Sequence, residues 1–477
     1  MSDISGSKLC VLLETFSSKE MSKFVDFVGS PFYNKNQVFV RIIKALDKIH
    51  PNFSKIKKVK LEQVAKCKNL NNDMSVLFKL AEQFLITVHS DNHPYLKQYI
   101  KISELNLRLS GKPVQKSFKE TKAQIHASKI KSNEELLFDF LTDLEMDKAY
   151  NKDTSLPYID ALQNQSESLD ALYVFNKLKI YMEMSVRERL LNVKYKKTFF
   201  KEIREFVENR PKEFSQYPSI YIYLRLIDLL SQEFTREEFN DFFNSIKGNI
   251  DVSTRSETTN FIQHAINHCI KKVNNGEDYI QELFNIMKFQ VENDFLVVNS
   301  FVHDRSYKNI IEVAIRAKEY IWAQEFLDSH IEFVPGEDKS MIYNYNQANI
   351  LFAKGDYKGA QRNLTFINFK DVFYQLAYRS LQIKIHLETK DTLSVESAVK
   401  NFKSYLKREE SLAEIQKNSY DSFLKFILNL TRIIDKRNQY SKEELRIKLN
   451  EVNDKIKSEK QLADKKWLLK QVSELMD

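Results

Sequence analysis

Apolar residues recur at steps of three and four positions along most of the chain, which is the period of a helix with one buried face. In Ser18–Gly29 this period places four residues on one side: Met21, Phe24, Val25 and Val28. Ser30-Pro31 ends that helix, because the residue before a proline avoids the helical region. Further helices predicted in the same way are Val38–His50, Leu61–Cys67, Asp73–Val88, Tyr95–Leu109, Glu134–Tyr150 and Leu169–Leu191.

Beyond Pro218 the predicted helices come in pairs that are joined by short turns. Ser219–Ser231 precedes Glu237–Ile246, and Thr258–Asn274 precedes Asp278–Glu292. Glycine and proline, which favour turns and break helices, occur 8 times each in 477 residues. That is about a third of their usual frequency, which disfavours β architectures with tight turns. The pattern therefore predicts an all-α fold: a right-handed superhelix of antiparallel helix pairs, an α-solenoid, with a helical N-terminal region.

A helical pattern repeats between residues 307 and 407. Tyr320 and Ala323 reappear 37 residues later as Tyr357 and Ala360, and a looser third copy follows. A period of this size is typical of stacked helix pairs, because no pair can bury its apolar face alone. We expect each alanine to lie where the second helix of a pair crosses the first, since its methyl group allows close approach.

These residues resemble the tetratricopeptide repeat, a helix–turn–helix unit of about 34 residues. The matching positions are Tyr307, Ile310, Ala314, Tyr320, Ala323, Leu327 and Pro335 in the first copy and Ala348, Leu351, Gly355, Tyr357, Ala360 and Leu364 in the second. Asn344 and Gln347 depart from the pattern, which has large apolar residues there. The whole chain also resembles a family of helical proteins of similar length from Bacteroidota, through segments such as Ser30–Lys35 and Asn267–Gly276. That second resemblance implies no activity.

The resemblance to tetratricopeptide arrays implies a concave groove, lined by the first helix of each pair, that binds a peptide or helix of a partner protein. Projected onto this chain, the groove candidates are Arg305, Lys308, Glu312, Arg316, Ile342, Tyr345, Asn349, Phe352, Ser380 and Lys384. The basic members could bind an acidic side chain or a terminal carboxylate. The alternative is that these side chains are simply the solvated face of the stack. The family's clamp for chaperone tails is mostly missing, because Glu312, Ala377 and Leu381 replace polar or basic donors.

Four segments are predicted from these patterns. They are a basic N-terminal helical region over 1–132, a connecting region of long helices over 133–217, a tetratricopeptide-like array over 218–440, and capping helices over 441–477. Lys442–Met476 could form one or two of these capping helices.

The net charge of +8 is unevenly distributed along the chain. Residues 1–132 contain 23 Lys and Arg against 11 Asp and Glu, whereas the remainder has a net charge of −4. The alternative function is therefore nucleic-acid binding or regulation through the basic N-terminal region, and a solvated exterior explains the same charges. A second basic run, Lys194–Lys201, interleaves aromatic residues as single-strand binders do. Because Tyr195, Phe199, Ile203 and Phe206 fall at helical spacing, we expect them to form a core stripe instead.

Motifs for catalysis are missing from the sequence: it contains no nucleophile elbow, phosphate-binding loop or Cys-x-x-Cys pair. His264 and His268, and likewise His89 and His93, stand four residues apart and could meet one metal ion, although packed or exposed histidines are far more common. Three separated cysteines, no signal peptide and no long apolar run predict a reduced, cytoplasmic protein without a membrane partner. We therefore expect a non-enzymatic protein-interaction scaffold with no cofactor and no metal; its oligomeric state is not predicted.

Overall fold

A computed structural model describes residues 4–153, 161–231, 233–298, 300–336, 338–365 and 367–476. Across these residues the chain forms α-helices, three short 3-10 turns (Phe53–Lys55, Ile331–Phe333 and Arg437–Gln439) and no β-strand. One isolated bridge joins Val298 and Phe301. Neighbouring helices pack in consecutive pairs. The predicted all-α class is therefore confirmed. Two compact units make up the chain, Met1–Thr254 and Arg255–Asp477, and the four predicted segments stay a prediction.

The first unit begins with a group of short helices around an aromatic core. Its helices are α1 (Lys8–Glu14), α2 (Ser18–Gly29), α3 (Gln37–Asp47), α4 (Lys58–Ala65), α5 (Leu70–Asn92), α6 (Pro94–Arg108), α7 (Lys112–Ala127), α8 (Asn133–Lys152), α9 (Ala161–Leu191), α10 (Phe200–Glu208), α11 (Pro211–Phe214), α12 (Pro218–Ser231) and α13 (Arg236–Lys247). Ser17 and Glu20 form a capping box at the start of α2, which satisfies two backbone donors of the first turn. Phe24 and Phe84 then bring α2 and α5 together, with ring centroids 5.3 Å apart.

The second unit consists of four helix pairs followed by a terminal group. Its helices are α14 (Arg255–Asn274), α15 (Ile280–Glu292), α16 (Asp304–Arg316), α17 (Tyr320–His330), α18 (Lys339–Ala353), α19 (Tyr357–Asn363), α20 (Val372–Glu388), α21 (Thr392–Arg408), α22 (Glu414–Asp435), α23 (Lys442–Ser458) and α24 (Lys465–Met476). The segment Lys442–Met476 thus forms two helices. Ala323 and Ala360, in the second helices α17 and α19, have no exposed surface, as close helix contact requires.

One turn recurs at the end of the first helix in all four pairs. Gly276, Lys318, Gly355 and Lys390 each have a positive φ, between 58° and 90°. In each case the residue that follows donates its N–H to the carbonyl five positions before itself, as Glu319 does to Ala314 at 2.9 Å. This six-to-one bond is the Schellman arrangement, which satisfies the last carbonyls of a helix and reverses the chain. The four pairs therefore share this backbone turn.

No helix among the described residues combines the length and apolar character that crossing a bilayer requires.

Candidate functional site

The first helices of three pairs carry the predicted groove residues. Helices α16, α18 and α20 pack side by side. Arg305 and Arg316 are exposed, and Arg305 lies 3.4 Å from Asp371. Lys308 forms an ion pair with Glu312 at 2.9 Å, one turn away on the same helix. Lys308 and Glu312 are half-buried, so the two arginines are the side chains of α16 that a ligand could reach most easily.

Three of the predicted groove residues are buried, which corrects the projection from the repeat. Ile342, Tyr345 and Ser380 are 5%, 2% and 3% exposed. Burial raises the pKa of Tyr345 well above its usual value, and the nearby Glu312 carboxylate adds to that shift. Because their neighbours already surround them, these three side chains do not form an open surface. Asn349 is half-buried and donates to the Tyr345 carbonyl at 3.0 Å.

Phe352, the remaining aromatic candidate, is half-buried and its ring lies 5.5 Å from that of Tyr357. It thus packs within its own helix pair.

A loop near the C-terminus covers the α20 part of the predicted groove. Asp464, between α23 and α24, accepts a hydrogen bond from the Ser380 hydroxyl at 2.5 Å and forms an ion pair with Lys384. The Lys384 ammonium also lies 5.6 Å from the centre of the Trp467 ring. Lys384, one of the basic side chains predicted to bind a partner's carboxylate, therefore binds a carboxylate of the same chain.

Helix α24 is attached to α20 one turn further along. Glu388 accepts hydrogen bonds from the Trp467 indole at 3.3 Å and from the Gln471 amide at 2.8 Å. Asp464, Trp467 and Gln471 were not predicted from the sequence. Trp467 is one of two tryptophans in the chain. This rarity was the one feature of the sequence that could have drawn attention to the segment.

An open cleft lies beside this attachment, within the second unit. Its volume is about 710 Å³, inside the range of ligand pockets. The residues that line it are Val273, Asn274, Gly276, Glu277, Asp278, Ile280, Arg316, Asp464, Lys465, Lys466 and Trp467. Of the predicted groove residues, Arg316 faces this cleft. Cationic groups (Arg316, Lys466), carboxylates and the Trp467 ring thus surround one space, which suits a peptide segment carrying both polar and apolar side chains.

A smaller cavity of about 310 Å³ lies in the first unit. Lys122, on its wall, bridges Asp139 at 2.6 Å and Asp143 at 2.9 Å. Burial raises the pKa of Asp143, and the Lys122 ammonium opposes that shift. Burial also raises the pKa of Tyr217 to about 12, with a contribution from the Asp139 charge. Lys122 thus joins α7 to α8 through two carboxylates, while the second Asp143 carboxylate oxygen is buried without a hydrogen-bond partner.

The two histidine pairs do not converge on a shared ligand set. The centroids of the His89 and His93 rings lie 4.0 Å apart with the rings tilted by 36°, and His93 lies 3.3 Å from a Glu134 carboxylate oxygen. The His268 ring packs edge to face on Tyr279. Within the described part of the chain, no group of three or more His, Cys, Asp or Glu side chains is placed to hold a metal ion.

The prediction that the aromatic residues of Lys194–Lys201 belong to a buried helical stripe is wrong at two positions. Helix α9 ends at Leu191 and α10 begins at Phe200, so the intervening residues are not helical. Tyr195 and Phe199 are 37% and 58% exposed. The cause is a left-handed backbone at Phe199, with φ of 65°, and at Asn192, which interrupts the helical spacing. Ile203, inside α10, is buried as expected.

Comparison of the chain with models of protein families, with curated proteins and with solved structures found no match. The geometry described above is therefore the basis on which a function can be proposed.

Proposed function

We propose that the chain is a non-enzymatic scaffold of the tetratricopeptide-like class, which binds a peptide or helix of a partner protein at the second unit. The repeated turn at Gly276, Lys318, Gly355 and Lys390 supports this class, as does the side-by-side packing of α16, α18 and α20. Arrays of this kind offer an extended surface on which consecutive first helices contact one ligand.

The open cleft beside Arg316 and Trp467 is the observation that carries the proposal. Tryptophan and arginine are among the residues most enriched at the energetic centres of protein interfaces. The Arg316 guanidinium could bind a carboxylate with two hydrogen bonds, while the Trp467 ring offers apolar area next to it. The favoured ligand is therefore a short segment with an acidic residue near an apolar one.

A display library of random peptides, selected on the purified full chain, tests this function. We expect selected peptides to contain an acidic and an apolar residue, and to bind the Arg316→Glu variant about tenfold or more weakly, because a charge-assisted pair becomes a repulsive one. Arg316 is exposed, so the substitution should leave folding intact, which circular dichroism can verify.

Lys354→Glu is the matched control. Lys354 is also exposed and follows α18, but it does not line the cleft. Equal loss in both variants would mean that general charge determines binding. The proposed peptide site would be contradicted if no peptide were selected, or if the Arg316→Glu variant bound the selected peptides with unchanged affinity.

A further inference from the structure

Large apolar side chains are exposed together where α9 ends and in the loop that follows. Leu190 and Leu191 are 76% and 64% exposed, Phe199 is 58% exposed, and Val193 and Tyr195 each expose more than a third of their surface. Among the described residues, far more large apolar side chains are buried than exposed. A continuous group of exposed apolar side chains on a folded protein usually marks an interaction surface.

The same segment is strongly basic. Residues 187–201 contain six Lys and Arg and one acidic residue, a net charge of +5. Arg189, Lys194 and Lys196 are exposed. The single carboxylate, Glu188, already accepts from the Tyr195 N–H at 2.8 Å and from Lys197. Arg187 and Lys201 pair with Glu183 and Glu205 just outside the segment. The positive charge next to the apolar group is therefore that of Arg189, Lys194 and Lys196.

The loop is held in place by the core beneath it. Tyr181, which is buried, donates its hydroxyl proton to the Thr198 carbonyl, and the Phe200 ring packs edge to face on Tyr181 at 5.6 Å. The left-handed residues Asn192 and Phe199 lie at the two ends of the loop. These contacts fix the backbone of the loop, while the side chains between them are exposed to solvent. The fold therefore holds the exposed apolar side chains in a defined position.

We propose that residues 187–201 form a docking surface for a lipid bilayer that carries anionic headgroups. The leucines, Val193 and the two rings would enter the boundary between headgroups and acyl chains, while the lysines and arginines contact headgroup phosphates. Such a protein lies on the membrane and does not cross it. The proposal goes beyond the peptide cleft, which belongs to the other unit, and it revises the expectation from the sequence that the protein has no membrane partner.

Charge alone does not distinguish a bilayer from a nucleic acid, but the apolar residues do. Leu190, Leu191 and Val193 are aliphatic and cannot stack on bases, whereas burial in acyl chains stabilises them. Single-strand binders combine a basic groove with several aromatic platforms, and here Tyr195 and Phe199 alone could stack. The mixture of aliphatic and cationic side chains therefore favours lipid.

Sedimentation of the full chain with vesicles tests the proposal. We expect binding to phosphatidylcholine vesicles that contain phosphatidylglycerol and little binding to vesicles of phosphatidylcholine alone, with a strong decrease at high salt because exposed charges are screened. The Lys194→Ala/Lys196→Ala variant should bind about thirtyfold more weakly, since each lysine near an anionic surface accounts for about fivefold. Leu190→Ser/Leu191→Ser should lose about tenfold or more, because both side chains are buried on docking.

Two control variants make the same types of substitution at other places on the surface. Lys57→Ala/Lys60→Ala removes two exposed lysines from the basic N-terminal region, and Ile321→Ser/Leu393→Ser removes two exposed apolar side chains from the second unit. Both should bind anionic vesicles like the wild type.

Insertion has a separate optical signature. Lipids brominated on their acyl chains should quench the fluorescence of the tryptophan in a Phe199→Trp variant. They should quench the fluorescence of the wild type little, because its two tryptophans, Trp322 and Trp467, are half-buried in the second unit. Failure to bind anionic vesicles would overturn the proposal. So would losses in the control variants equal to those in the loop variants, or tighter binding to a mixed oligonucleotide that Leu190→Ser/Leu191→Ser leaves unchanged, which would identify a nucleic-acid surface.

Discussion

At the scale of single residues, Ala360 shows how one methyl group determines a helix contact. It lies in α19 with no exposed surface, where α18 and α19 pack together. Ala360→Leu would add three carbon atoms to a filled contact, so we expect a loss of about 1–3 kcal/mol in the free energy of unfolding. Urea denaturation measures this change in the free energy of unfolding. Lys358→Leu, at an exposed position of the same helix, should cost far less, and equal costs would mean that α19 does not pack as described.

The protonation of two histidines predicts how stability varies with pH. Burial lowers the pKa of His330 and of His386 below the ordinary value of 6.5. Below that value the unfolded chain binds more protons than the folded chain, so the stability of the second unit should fall as pH decreases from about 6.5 towards the lowered pKa.

Trp322 and Trp467 both lie in the second unit, so their fluorescence in urea follows its unfolding at each pH. A His330→Gln/His386→Gln variant should depend less on pH between about 7.5 and 5.5. His303→Gln is the control, because His303 is exposed. A wild type whose unfolding midpoint is constant over this range would contradict the prediction.

At the scale of elements, the repeated turn makes opposite predictions for two of its residues. A left-handed conformation costs a residue with a side chain about 1–2 kcal/mol, and glycine avoids this cost. Lys318→Gly should therefore stabilise the second unit by about 1 kcal/mol, and Gly355→Ala should destabilise it by a similar amount. A Cβ at Gly355 would meet no atom within 4 Å, so its cost is purely conformational.

Urea denaturation again measures both changes. Lys400→Gly, at an exposed position in the middle of α21, should destabilise by about 1 kcal/mol, because glycine weakens a helix interior. Should Lys318→Gly act in the same direction as Lys400→Gly, the shared turn would not be the determinant that we describe.

The helices and their pairing could be predicted from the sequence because their signals are local. Period, caps and turn residues act within one or two turns, and α2 begins and ends at the predicted residues. The same local logic failed at Tyr195 and Phe199, where helical spacing continues across a loop that two left-handed residues create. The ion pair between Asp464 and Lys384 could not be predicted from local signals either. The two residues are 80 positions apart, and no periodic pattern connects them.

At the scale of the second unit as a whole, the attachment of the C-terminal helix is the feature most open to test. Asp464→Ala would remove the carboxylate that binds Ser380 and Lys384 and leave the Lys384 ammonium without this partner. We expect a loss of about 1.5–3 kcal/mol and faster hydrogen exchange in α24. Asp454→Ala, at an exposed position of α23, should change neither quantity. Unchanged exchange in Asp464→Ala would show that apolar packing alone holds α24.

The proposed peptide cleft is tested most directly by photo-crosslinking. A peptide selected on the full chain would carry a photoreactive residue, and mass spectrometry would locate its crosslinks. We predict crosslinks within residues 273–280 and 464–467 and at Arg316, the segments that supply the lining of the cleft, and we predict that Arg316→Glu reduces them about tenfold or more at peptide concentrations below the dissociation constant. Crosslinks confined to the first unit, or to exposed residues away from these segments, would contradict the proposed function.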